Sequence, residues 1–361
     1  LLHIEREAFR GVSWSTVVFD EAQAIKNRLT KRAQAALQLS AKFRCIMTGT
    51  PVENHLGELY SHFHLLNPHL LGSFAGFKRH YIDPIQRDGD DDARRRLKQL
   101  VAPFVLRRLK SDVLAELPPR IDVVHQVQLS ADEMALYESM RREALSRLEQ
   151  MDDQDGKRKF SILRELTLLR LASCHPRLVV PNSRIPSSKL AAFGEIAAEL
   201  RDNRHKALVF SQFVKHLALV KAYCEQNGYV VHYLDGATPQ KERAALVETF
   251  QHDDSHLFLI SLKAGGTGLN LTAADYVIHL DPWWNPAVED QASDRAHRIG
   301  QTQSVTVYRL VAQQTIEEKI VALHKDKRQL AESLLAKGEQ ALQMSAEQLL
   351  ALMGTTLSPS K

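Results

Sequence analysis

Leu257-Phe-Leu-Ile-Ser261 is a short run, apolar except at its last residue, that passes straight into Lys263-Ala-Gly265-Gly266-Thr267-Gly268. A short apolar run bounded by glycines fits a strand covered on both faces. The loop after it has a backbone that a ligand can approach closely. Working outward, Ala207–Phe210, Val230–Leu234, Tyr276–Leu280 and Val305–Leu310 repeat the strand pattern. Helical patterns lie between them. Phe213–Asn227 is closed by Gly228 in the C′ position, and a second helix takes Thr238 as its cap and Pro239 as its first residue, ending near Phe250. This alternation predicts an α/β unit over residues 201–312, a parallel sheet with helices on both faces.

Residues 1–80 read as the remainder of another α/β lobe. Ser15–Phe19 is a strand that ends in Asp20-Glu21, and Phe43–Met47 is a second, buried strand that ends in Thr48-Gly-Thr50-Pro51. The carboxyl edge of such strands is where open α/β sheets bind ligands. Residues 81–200 change character: polar Asp88–Arg96, a Pro118-Pro119 break, helical patterns over Ala131–Met151 and Ile162–Ala172, then a Pro- and Ser-rich linker at Pro181–Ser188. This segment is expected to be a mainly helical insertion. Thr315-Ile-Glu-Glu318 reads as a capping box for a last helix to about Leu335, within an extension over residues 313–361 that frays from Gly354.

Composition sets bounds. The chain has 361 residues, 44% of them hydrophobic, enough for two or three domains with real cores. A net charge of +4 permits nucleic-acid binding without requiring it. Cys45, Cys174 and Cys224 lie far apart, so neither a disulfide framework nor a zinc knuckle is indicated. His62 and His64 have no ligand partner at metal spacing. The absence of a long apolar run or a signal-peptide pattern predicts a soluble, intracellular protein with no membrane partner.

Gln291-Ala-Ser-Asp294-Arg295-Ala-His297-Arg298-Ile-Gly300-Gln301 has the length of a helix, and on a helix Arg295 and Arg298 would share a face. Two guanidinium forks on one face suit the charge that develops on a transferring phosphoryl group. A solvated helix with an Asp294–Arg298 pair is the plain alternative.

Taken with Leu259–Leu271 and with Tyr276-Val-Ile-His-Leu-Asp281-Pro-Trp283-Trp284-Asn-Pro286, that stretch resembles the last two helicase motifs of the SWI/SNF family of DNA translocases. Four more blocks resemble the family in its own order. They are Val17–Asn27 (its Walker B segment), Met47–Asn54 (its coupling motif), Pro103–Pro119 (its connection between lobes) and Ala207–Phe213 (the opening of its second lobe). The resemblance implies a partial RecA-like lobe, the helical insertion and a complete RecA-like helicase C-terminal lobe, closing on ATP. It implies ATP and Mg²⁺ as cofactors. Asp20 would hold the metal, Glu21 would activate water, Gln23 would sense the γ-phosphate, and Arg295 and Arg298 would act as finger residues. Gly266, Gly268, Gln291 and Asp294 would help form the ATP cleft. Thr48, Thr50, Ser211, Gln212, Lys263 and Thr267 would contact double-stranded DNA, mainly at phosphates. Trp283 either packs beneath the sheet edge or stacks on bases. Arg107, Arg108 and Lys110 read as an interlobe or DNA-facing cluster, with a solvated charged linker as the plain alternative.

One family feature is missing: these residues contain no Gly-x-x-x-x-Gly-Lys-Ser/Thr phosphate loop. The chain is therefore expected to be the C-terminal part of a longer ATPase and inactive by itself. The expected function is ATP-driven movement on double-stranded DNA by a monomer. The rival is a fragment that binds DNA or a protein and hydrolyses nothing. DNA-bound proteins and RNA polymerase are the further partners open to such a motor. Its place would be the nucleoid-associated cytoplasm in a bacterium or the nucleus in a eukaryote.

Overall fold

A computed structural model describes residues 4–48, 56–106, 108, 110–114, 116–150, 155–265, 268–324 and 346–354. The chain divides after Arg108 into two compact units, and the described residues from 110 onward all belong to the second.

In the first unit, β1 (Ser13–Phe19) and β2 (Ser40–Ile46) pair in parallel, from Ser13 opposite Ser40 to Phe19 opposite Ile46. The helix Leu56–Leu66 supplies Leu56, Leu59, Tyr60 and Phe63 to a core completed by Phe77, Ile85 and Leu97. Arg44 ties β2 to that helix by donating to the carbonyls of Leu39 (2.6 Å) and Leu65 (2.8 Å). The second strand was expected to be buried, and this needs correction: Phe43 is 62% exposed and Val18 52%. Both lie on one face of the sheet, which has only two strands among the described residues.

The second unit holds six parallel strands in the order β3-β8-β7-β4-β6-β5: β3 Arg120–Val127, β4 Ala207–Ser211, β5 Val231–Leu234, β6 Leu257–Ser261, β7 Tyr276–His279 and β8 Val305–Ala312. Every residue of β4 and β6 is buried, because both faces are covered. On one face Ala207, Val209, Leu257 and Leu259 pack against Phe193 and Leu200 of the helix Ser188–Asp202 and Leu217 and Val220 of the helix Val214–Gln226. On the other, Leu208, Phe210, Phe258 and Ile260 pack against Phe250 of the helix Gln240–His252 and Ala292 of the helix Pro286–Ser293. Each large side chain so buried contributes about 1.5–3 kcal/mol. The expected α/β lobe is present, and Gly228 takes φ +73° after the Asn227 cap.

Several local expectations change. β3 lies inside the segment read as helical, and it joins the sheet through β8 from Arg120 opposite Val305 to Val127 opposite Ala312. The helices Ala131–Glu149 and Asp155–Cys174 do form, and they pack with Ile316, Ile320 and Met353 of the same unit. Residues 188–202, where no helix was anticipated, form one capped by Ser187. Pro239, not Thr238, is the N-cap of the next helix, since the Thr238 hydroxyl accepts the Asp235 N–H instead (3.1 Å). The expected box at Thr315 is shifted by one residue. Thr315 accepts from the Glu317 N–H (3.2 Å), while the Glu318 carboxylate reaches back to the Gln314 N–H (3.0 Å). The end of that last helix lies outside the described residues, as does the tail beyond Gly354.

Candidate functional site

The acids of the first unit sit where β1 ends. The Met47 N–H donates to the Phe19 carbonyl (2.8 Å) and the Ala22 N–H to the Met47 carbonyl (3.2 Å), which holds the turn beside the end of β2. Glu21 adopts φ +49°, a left-handed conformation that costs a non-glycine residue about 1–2 kcal/mol. Its N–H donates to Asp20 Oδ1 at 2.8 Å. The Gln23 amide donates to the Glu21 carboxylate and accepts from Thr48 Oγ1 (3.3 Å). Glu21, Gln23 and Thr48 thus form one hydrogen-bonded chain. Asp20 is exposed and forms no ion pair among the described residues. Hard carboxylate oxygens open to water fit Mg²⁺ held partly through its own waters. Thr50 lies outside the described residues.

In the second unit the arginine stretch is not one helix. The helix Pro286–Ser293 stops there, and residues 294–300 are turns. The Arg295 carbonyl accepts from the Leu271 N–H (3.0 Å), so it is lost to helix continuation. The Gln301 amide donates to the carbonyls of Thr272, Ala274 and Ala296, pinning the far side. Arg295 is therefore buried and Arg298 exposed, and they do not share a face. Nor does Asp294 pair with Arg298. It meets Lys110 Nζ at 2.7 Å, and that ammonium also donates to the His297 carbonyl (3.0 Å). Lys110 of the expected basic cluster is thereby placed, Arg108 is exposed, and Arg107 is outside the described residues.

Lys263 is exposed on a single turn, Leu262–Gly265. A Cβ on Gly265 would lie 2.8 Å from the Phe210 ring, so a side chain there would push the turn off the sheet. Gly268 is exposed and Gln291 half-buried, while Gly266 and Thr267 lie outside the described residues. Ser211, expected at a phosphate, is buried, and its hydroxyl donates to Asp281. The Gln212 N–H donates to the same carboxylate (3.4 Å). Trp283 is half-buried against the core, with its backbone N–H donating to Glu289 Oε1 (2.7 Å).

Sequence reading missed the buried charges around Asp281. Arg170 Nη2 donates to the Pro282 carbonyl (2.6 Å) and lies 3.8 Å from Asp281 Oδ2. Burial pushes the Asp281 carboxyl up, but His216 and Arg170 beside it and the Ser211 hydroxyl outweigh that and hold it below its ordinary range. Lys189 is buried against Glu317, and Arg309 against Glu289 (2.9 Å) and Asp122 (2.6 Å). Nothing in local spacing marks these residues, whose partners lie far away in sequence. Cys174, His216 and Asp281 come within 4.8 Å of one another. Burial pushes the Cys174 thiol well up, keeping it a protonated, poor ligand, and Arg170 already offsets the Asp281 charge.

Comparison with known proteins gives the family. The SNF2-related domain matches residues 1–178 and the helicase conserved C-terminal domain residues 188–300. The Sulfolobus solfataricus SWI2/SNF2 ATPase core, solved in complex with dsDNA, is 33% identical with a TM-score of 0.54, over 98% of this chain and 74% of that one.

The chain belongs to the SWI/SNF family.

The same Sulfolobus core domain in a second structure gives 34% identity and a TM-score of 0.56, over 97% of this chain and 73% of that one. A Bacillus subtilis protein named as an ATP-dependent helicase/translocase, YwqA, is 37% identical over 97% of this chain and 38% of its own length. The human SWI/SNF-related matrix-associated actin-dependent regulator of chromatin subfamily A member 1 is 32% identical over 97% of this chain and 35% of its own length. The SWI/SNF chain thus spans little more than a third of these two relatives, and its family is one of ATP-dependent helicases.

Proposed function

We propose that this chain is the part of a DNA-dependent ATPase that couples ATP hydrolysis to movement along double-stranded DNA. The observation that carries this reading is the hydrogen-bonded chain Glu21–Gln23–Thr48. It joins the residue that would activate water to the start of the coupling motif, so a change at the nucleotide would reach Thr48 through Gln23. Mg²⁺ and ATP supply the electrophilic phosphoryl group when bound. Asp20 would hold the metal through oxygen, and Glu21 would take the proton of the attacking water. Arg298, which is exposed, would offer its charge to the developing phosphoryl charge. Buried Arg295 instead fixes the turn that presents Arg298. Lys263 and Thr48 remain the DNA-contact candidates, whereas Ser211 acts through Asp281.

The alternative is binding to DNA or to a protein without hydrolysis. One assay decides between the two. ATP turnover by the full-length gene product is measured with and without unrelated duplexes across a salt series. The motor reading predicts duplex-stimulated turnover that falls with salt and ignores sequence, because phosphate contacts dominate. Turnover that stays at background with every duplex supports the binding reading.

A further inference from the structure

We propose that Arg170 is a positioning residue for the arginine segment, acting from the helix Asp155–Cys174 through the loop that follows β7. This rests on the reading of Arg298 as a residue that acts on the phosphoryl group.

Arg170 is only 2% exposed. Its guanidinium lies 5.2 Å from the Phe213 ring centre, 5.3 Å from Trp283 and 5.5 Å from Trp284. Its Nη2 also donates to the Pro282 carbonyl at 2.6 Å and faces Asp281 at 3.8 Å. One side chain therefore touches Asp281, Pro282, Trp283 and Trp284 in succession. A planar, delocalised guanidinium can lie over rings while donating along its edge, which an ammonium cannot do.

The loop so held is connected onward by buried polar contacts. The Trp283 N–H donates to Glu289 Oε1 (2.7 Å), and Glu289 is 0% exposed on the helix Pro286–Ser293. At the end of that helix the Ser293 hydroxyl donates back to the Glu289 carbonyl (3.0 Å) and meets His279 Nε2 (2.9 Å). Arg295 and the turn bearing Arg298 follow directly. A displaced Pro282–Trp283 segment would shift Glu289, then the helix, then Arg298. Misplacement by about 1 Å at a reacting centre costs up to about 100-fold in rate.

The test uses Arg170→Lys in the full-length gene product. Lysine keeps a charge beside Asp281 but loses the planar stack and the edge donor. The expected result is a kcat lowered about tenfold or more, with KM for ATP and DNA affinity within about twofold and a nearly unchanged melting temperature. In an Arg298→Ala background the same change should lower kcat little further, since residues acting as one unit are not additive. A second readout does not need turnover. Trp14 and every tryptophan of the full-length product outside these residues are replaced by Phe, so that Trp283 and Trp284 alone report. Arg170→Lys should raise their quenching by acrylamide. Unchanged kcat with unchanged quenching overturns the proposal, and so does a kcat loss that multiplies with that of Arg298→Ala. A parent without ATP turnover would sink the motor reading, leaving the quenching result to decide whether Arg170 holds the loop.

Discussion

Lys189 and Glu317 form an ion pair from which water is excluded at both ends. Lys189 Nζ donates to the two carboxylate oxygens at 2.7 and 2.6 Å and to the Leu280 carbonyl at 2.8 Å, with the residues 1% and 0% exposed. Burial pushes the ammonium down, but the Glu317 charge more than offsets this and raises it above its ordinary value. The pair joins the helix Ser188–Asp202 to the residues that follow β8, at the end of β7.

Breaking that pair from one side should be worse than removing it. Lys189→Met leaves a buried carboxylate unpaired and should destabilise by about 3–5 kcal/mol. Adding Glu317→Gln, which keeps an acceptor for the Ala312 N–H, should recover a large part of that loss. Urea denaturation of the two variants and the parent measures both effects. A double variant no more stable than Lys189→Met would show that the pair is not the source of the loss.

The pair also shows where sequence reading stops. β4, β6, β7 and β8 were legible because buried parallel strands are mostly apolar, and that is a local property. β3 was not, because Asp122, His125 and Gln126 interrupt its apolar pattern at a sheet edge where polar side chains reach water or Arg309. The helix Ser188–Asp202 was hidden behind a Pro- and Ser-rich approach whose Ser187 is in fact its cap. At the site, Asp20, Glu21 and Thr48 were read as following strand ends, and they do lie just past β1 and β2. The shared helical face expected of Arg295 and Arg298 does not form, because what ends that helix is Leu271 taking the Arg295 carbonyl. That partner is invisible to spacing, as are Arg170 and Lys189.

Acid should weaken the second unit through His279. Burial, aided by Arg309 and Arg120, lowers its pKa from the ordinary 6.5 to about 3. The folded imidazole stays neutral, with its Nε2 on the Ser293 hydroxyl at 2.9 Å. Below pH 6.5 the unfolded chain takes up a proton that the folded chain refuses. This contribution is therefore complete above about pH 6.5 and is lost as pH falls toward 3, at roughly 1.4 kcal/mol per unit. Denaturant midpoints between pH 7 and 5 should fall, and fall less in His279→Gln. Parallel pH profiles for the two proteins would contradict this.

Arg298 and Arg295 should separate in kinetics. Exposed Arg298→Ala in the full-length gene product should lower kcat by roughly 10³-fold or more while stability stays within about 0.5 kcal/mol. Buried Arg295→Ala should lower both kcat and the melting temperature. A kcat for Arg298→Ala within a few-fold of the parent would make it an ordinary surface arginine.

The central claim is that ATP drives this protein along an intact duplex, and displacement of a third strand measures that most directly. The full-length gene product is added to a duplex carrying a short triplex-forming strand, with ATP and Mg²⁺, and strand release is followed. The account predicts ATP-dependent release that reaches sites away from the loading end. It also predicts no release by Glu21→Gln, which should still bind nucleotide because Asp20 is intact. No release by a parent that hydrolyses ATP on the same DNA, or equal release without ATP, would contradict it.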